Sequence, residues 1–228
     1  MRNNNLYIQP NFYSFLEELA ANNTRNWFKS HKNDFETQVF LPFKALTETV
    51  IFLMQKIDPE INIAFNQAAF RIYRDIRFSP DKTPYKLWMG AVVSRNGRKN
   101  TTMPEVYFQF GPGENFIAAG LYKPDKNTLY RIRQKIAENP VLFEQITNAE
   151  SLINFFPDGI QGERNKRLPV KTWQQTAQKY PFILNKQFYA VNFYSRKKIL
   201  QTANLAEFIV SHYKAMESFN NWLMTSHT

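Results

Sequence analysis

Between residues 71 and 86 the chain reads RIYRDIRFSPDKTPYK, which places three Arg, two Lys, two Asp and two Tyr in sixteen positions. This mixture suits the holding of an anion. A guanidinium presents a planar fork of donors matched to phosphate and carboxylate, and a carboxylate set between two of them restricts their rotamers. Period-two alternation over 70–78 predicts a strand with Arg71, Tyr73, Asp75 and Arg77 on one face, Arg71 and Arg77 flanking Asp75. Arg74 falls on the other face with Phe70, Ile72, Ile76 and Phe78. An unpaired cation there costs on the order of several kcal/mol, so Arg74 calls for a buried acidic partner or a polar cavity.

Prolines at 80 and 84 pre-set φ in the loop 79–86, a stiff frame for Lys82, Thr83, Tyr85 and Lys86. The candidate ligand-binding set is therefore Arg71, Tyr73, Arg74, Asp75, Arg77, Asp81, Lys82, Tyr85 and Lys86. In this reading Arg71, Arg74 and Arg77 are clamps, Asp75 orients them, and Lys82, Tyr85 and Lys86 close the site. Tyr107 and Tyr122 join Tyr73 and Tyr85 as phenols that strand pairing could bring to the cluster. Two other readings stay open: a sheet face laced by cross-strand ion pairs, and a catalytic centre. The segment lacks the glycines of a phosphate-cradling loop.

The elements that must position this segment follow from periodicity. Phe12, Phe15, Leu16 and Leu19 predict a helix over 12–21. Asn22-Asn23-Thr24 can cap a second helix carrying Trp27 and Phe28, and a longer pattern runs to Ile57 with Pro42 inside it. Residues 87–95, 105–111, 115–122 and 187–196 are further strand candidates, with Asn96-Gly97 and Gly111-Pro112-Gly113 as turn signals. Helices are expected from Asp125, from Pro140, near 170–179 and over 203–224. Helices and strands are segregated, so the expected fold is a single α+β domain over 1–228: an antiparallel sheet of about five strands packed against N- and C-terminal helices.

Composition narrows the chemistry. The 228 residues contain no Cys and three His, which excludes disulfides, zinc–thiolate sites, iron–sulfur clusters and cysteine nucleophiles. His31 and His212 fall at packing positions and His227 is close to the end, so no Ser-His-Asp arrangement can be assembled. Asp75 and Asp81 lie in surroundings too basic to suit metal ligation. No cofactor and no metal is called for. With no apolar run near 18 residues and no export signal, neither a membrane partner nor a secreted location is expected, which leaves the cytoplasm.

The net charge of +10 is unevenly spread. Residues 71–100 hold eight basic and two acidic side chains, and residues 161–200 hold nine and one. If the two segments converge they form one anion-attracting patch; otherwise they are two separate solvated faces. The leading expectation is a small phosphate- or carboxylate-bearing ligand. The alternatives are a nucleic-acid module using both basic segments, Arg95–Lys99 and Arg196–Lys198 among them, and a purely structural motif.

The motif over 71–86 closely resembles the signature of an uncharacterised, mostly bacterial family, domain of unknown function 2461. The resemblance continues through Asn26-Trp27-Phe28, the FQFGPG of 108–113, the GLYKP of 120–124 and the KRLP of 166–169. This chain carries Tyr180-Pro181 where the family has His-Pro. The match covers about residues 12–223 and implies one domain, and no established activity comes with it.

Overall fold

The computed structural model describes residues 6–99 and 102–225; His227 lies outside them. Helix α1 (Pro10–Ala21) starts on a proline whose missing N–H is no loss in a first turn, and buries Phe12, Phe15, Leu16 and Leu19. Thr24 caps α2 (Arg25–Ser30) by accepting from the Trp27 amide. Then α3 (Lys32–Phe35), a wide π-turn (Glu36–Phe40) and α4 (Leu41–Gln55) form one continuous helix. The π-turn ends at Phe40, and after Leu41 comes Pro42, which has no amide hydrogen to return to the preceding turn. By length and composition alone this 24-residue helix is long and apolar enough to cross a membrane, although Lys32, Asp34, Glu36, Lys44 and Glu48 interrupt its apolar residues. Its Phe43, Leu46, Val50 and Met54 are wholly buried in the core.

After the short α5 (Phe65–Ala68) come β1 (Met89–Val93), β2 (Glu105–Phe110) and β3 (Phe116–Leu121). Helices α6 (Lys126–Glu138), α7 (Pro140–Thr147), α8 (Glu150–Phe155) and α9 (Lys171–Lys179) follow. Asp125 caps α6 through the Thr128 amide at 2.7 Å. Strand β4 (Phe188–Phe193) leads to α10 (Arg196–Gln201), α11 (Leu205–Ala215) and α12 (Glu217–Met224). The single final helix expected over 203–224 is thus two helices, meeting at Met216.

The fold is α+β, with a wholly antiparallel sheet in the order β1-β2-β3-β4. It has four strands, not about five, because 70–78 does not form one. Helices α4 and α11 pack on each other and on the sheet face built by Ala91, Val93, Val106, Phe108 and Ile117. A second cluster, centred on Ile132, Phe143, Phe188 and Phe219, joins α6 to α9 and α12 to the β3–β4 end of the sheet. The opposite sheet face is partly open: Tyr107, Phe116, Tyr189 and Val191 are half-buried and Phe193 is exposed.

His212 is completely buried, with Tyr194 Oη 2.5 Å from its Nε2 and the Phe208 carbonyl 2.6 Å from its Nδ1. Burial pushes its pKa down to about 4. Both nitrogens are thus engaged in packing contacts. His31 stacks on Trp27 at 4.1 Å and bonds to the Trp27 carbonyl.

Candidate functional site

Residues 69–86 leave the β1 edge as an irregular ribbon rather than a strand. Ala69 bridges Ala91, and the Phe70 amide donates to the Gly90 carbonyl at 2.9 Å. Farther out, Lys86 donates to Ile72 at 2.8 Å, Tyr73 bridges Tyr85, and Arg74 donates to Pro84 at 2.9 Å. The two prolines and the turn at 79–83 break regular pairing, so the expected alternation fails toward the tip. Phe78, expected inward, is 94% exposed, while Ile72 is buried.

The irregularity makes a hollow of about 590 Å³ at the base of the ribbon. Arg71, Tyr73, Arg74, Asp75, Arg77 and Lys86 line it, together with Phe70, Ile76 and Arg98. Six of the nine expected site residues therefore converge. The other three do not. Tyr85 is buried and stacks on Phe28 at 4.1 Å. Lys82 donates its ammonium to the Ile76 carbonyl at 3.0 Å. Asp81 sits behind Arg74 and bonds its guanidinium. The site is therefore not closed by Lys82 and Tyr85. Of the four expected phenols, only Tyr73 reaches the hollow; Tyr107 lies 6.1 Å from Phe70, and Tyr122 packs on Tyr189.

The charges divide into two classes. Arg77 is held by Asp75 in a bidentate pair, Nε to Oδ1 at 3.0 Å and Nη2 to Oδ2 at 2.7 Å. That side-chain bond and the Arg77 amide hold the Asp75 carboxyl down to about 2. Asp75 serves Arg77 alone, since Arg71 is not its partner, contrary to the flanking arrangement expected of a strand. Arg74 bonds to Asp81, the Thr83 hydroxyl and the Thr83 carbonyl. The Thr83 amide, followed by Arg74, holds Asp81 at about 2. Arg74 thus finds its acidic partner, but Asp81 is itself exposed rather than buried.

Arg71, Lys86 and Arg98 form the second class: among the described residues none of them makes an ion pair. Lys86 donates to the Arg71 carbonyl at 2.8 Å and lies over the rings of Trp88 and Phe70. Its pKa is lowered, first by burial and then by the charges of Arg71 and Arg98. Arg98 bonds to the Asn66 carbonyl. It comes there because Gly97, at φ +63°, brings its backbone against Gln67; a Cβ would sit 2.7 Å from the Gln67 carbonyl oxygen. The sequence offers Arg98 as an exposed candidate for phosphate contacts in the Asn-Gly turn, apart from the 71–86 set, and the structure brings it to the same hollow. The Asn96-Gly97 dipeptide was the available signal, but its packing against α5 is a long-range fact.

The two basic segments line different hollows. Residues 71–86 extend from the β1 edge, whereas Gln161 and Arg164 bridge Tyr189 and Asn185 beside β4. Three inter-strand steps, together roughly 14 Å, separate the two edges. Arg95 is tied to Asp58 and Glu60, and Arg196 to Glu17, so the arginines that would begin and end a nucleic-acid stripe are engaged internally. Lys166, Arg167 and Lys171 line a separate hollow of about 490 Å³. Among the described residues no cluster of three or more acidic or histidine side chains could hold a metal ion.

No curated protein and no solved structure matches this chain. The family model for the conserved hypothetical proteins of DUF2461 matches residues 11–222, nearly the whole chain. The 71–86 signature and its hollow thus lie well inside the matched region, and the chain belongs to the DUF2461 family.

Proposed function

We propose that the hollow at the β1 edge binds a small anion, with phosphate-bearing molecules as the best-fitting class. The observation that carries this reading is the gathering of Arg71, Lys86 and Arg98 around one concavity without a carboxylate partner among the described residues. Burial first, and then the charges of Arg71 and Arg98, lower the Lys86 pKa, and a bound anion relieves the repulsion among the three cations. Arg74 and Arg77 add charge from positions already fixed by Asp81 and Asp75. A preorganised guanidinium loses less freedom on binding than a free one.

Calorimetric titration with inorganic pyrophosphate at low salt tests the reading. Saturable binding that Arg71→Ala weakens at least ten-fold, in a variant with an unchanged circular dichroism spectrum, is the expected result. The absence of heat and of a thermal shift with pyrophosphate, phosphate and a dicarboxylate would end it.

A further inference from the structure

The cationic hollow does not stop at its own wall. Phe70, Arg71, Tyr73 and Arg98 also line a second hollow of about 670 Å³, so the two adjoin along these four residues. Their walls differ in kind. The second hollow is built largely of rings and aliphatic side chains, including Phe40, Phe65 and Ile72. Phe40 and Phe65 meet edge to face at 5.5 Å, which fixes both rings before any ligand arrives. Asn66 and Asn96, whose side chains are amides, also line this hollow. An amide carries both donors and an acceptor, the complement of a heterocycle edge.

We infer that the two adjoining hollows take a nucleotide: a phosphate group among Arg71, Lys86 and Arg98, and an aromatic base against Phe65 and Phe70. This rests on the anion-binding reading and specifies its ligand. Three features favour it over inorganic phosphate or a plain dicarboxylate. Either hollow alone falls within the roughly 300–1,000 Å³ typical of small-molecule sites, so the two together are larger than a lone anion needs. A lone anion would also leave the aromatic hollow facing water. Finally, Arg71 and Arg98 stand where the two hollows adjoin, so a ligand joined across that boundary keeps its charge on the cations and its ring on the rings. Charge complementarity fixes the orientation of the ligand, and the rings supply stacking that any base can use.

The test is a ligand series on the unmodified chain, measured by calorimetry at one salt concentration: pyrophosphate, ribose 5-phosphate, AMP, UMP and a short single-stranded oligonucleotide. The expected result is that AMP or UMP binds at least ten-fold tighter than ribose 5-phosphate. Phe65→Leu, which alters a ring of the second hollow alone, should remove most of that advantage while leaving pyrophosphate affinity within two-fold. Equal affinity for AMP, UMP and ribose 5-phosphate would overturn the inference and leave the anion site standing. Binding of none of the five would overturn both. An oligonucleotide that binds a hundred-fold tighter than either mononucleotide would also overturn it, in favour of a strand crossing both hollows. The wild-type series decides the matter even if the Phe variant fails to fold.

Discussion

The two most basic stretches of the chain sit at opposite edges of one sheet and do different things with their charge. At the β1 edge, Arg71, Lys86 and Arg98 surround a concavity walled by rings. At the β4 edge, Lys186 pairs with Glu163, Arg196 pairs with Glu17, and no ring lines the hollow beside Lys166, Arg167 and Lys171. The β4 side has more formal positive charge and less structure around it. Net charge along the sequence is therefore a poor guide to a site. Lys166, Arg167 and Lys171 also make no ion pair among the described residues, so what distinguishes the β1 edge is that backbone carbonyls hold Lys86 and Arg98, positioning their charge without neutralising it.

This contrast can be broken or sharpened by experiment. The largest expected effect concerns the sheet between the two edges. Glu105, on β2, is 6% exposed, and its Oε2 has no hydrogen-bond partner among the described residues. Burial pushes its pKa up to about 7, against a small opposing pull from Lys123. A carboxyl raised in the folded state is at its most favourable below its ordinary value of 4.5, and that advantage is lost as pH climbs to about 7. Glu105→Gln should thus stabilise the protein by roughly 3 kcal/mol at pH 8 and by nothing at pH 4, as read by urea unfolding. Pyrophosphate affinity should not move. If it does, the edges are coupled through the sheet and the comparison fails.

The next effect separates the edges directly. Arg71→Ala combined with Lys86→Ala should lower pyrophosphate affinity about 50-fold, roughly 2.3 kcal/mol, the scale of one or two charged hydrogen bonds. Lys166→Ala combined with Arg167→Ala should change it less than two-fold in the same calorimetric assay. Equal losses from both pairs would mean that diffuse charge, not the built cavity, binds the anion.

Gly90→Ala tests whether the ring wall needs its support. A Cβ at position 90 would lie 2.9 Å from the Tyr107 hydroxyl and 3.0 Å from the Trp88 ring, so one of these must move. Trp88 in turn carries Lys86. The substitution should cost about 1–2 kcal/mol of stability and a few-fold in anion affinity. A variant as stable as the parent would show the wall to be loose.

The smallest effect is a pH dependence. Lys86 is lowered from 10.5. Anion affinity at the β1 edge should therefore fall two- to three-fold as pH rises through a value below that of an ordinary lysine. Lys86→Arg should flatten the profile between pH 7 and 10. A profile identical in the two proteins would remove Lys86 from the site.

How much was legible in advance depends on range. Thr24 and Asp125 as caps, the breaks at 22–24 and 58–59, and four of the five strands follow from local residue types, because capping and alternation are decided within a few positions. The fifth strand failed for a local reason given too little weight: two prolines in five residues leave its partner strand without a regular ladder. Asp75 illustrates the loss. A strand would have set Arg71 and Arg77 on either side of it, whereas the irregular backbone turns Arg77 onto it and sends Arg71 into the hollow.

By itself the amino-acid sequence determined the α+β class, the family and the segment where cations concentrate, since composition, periodicity and a long contiguous motif are all readable along one line. Only the tertiary structure decided which of those cations are left unpaired and what stands beside them. Phe40, Phe65, Lys86 and Arg98 line two adjoining hollows because α5, the π-turn before α4, the 69–86 ribbon and the β1–β2 connection fold against one another. Concavity is a property of that long-range packing, and no spacing in the chain encodes it.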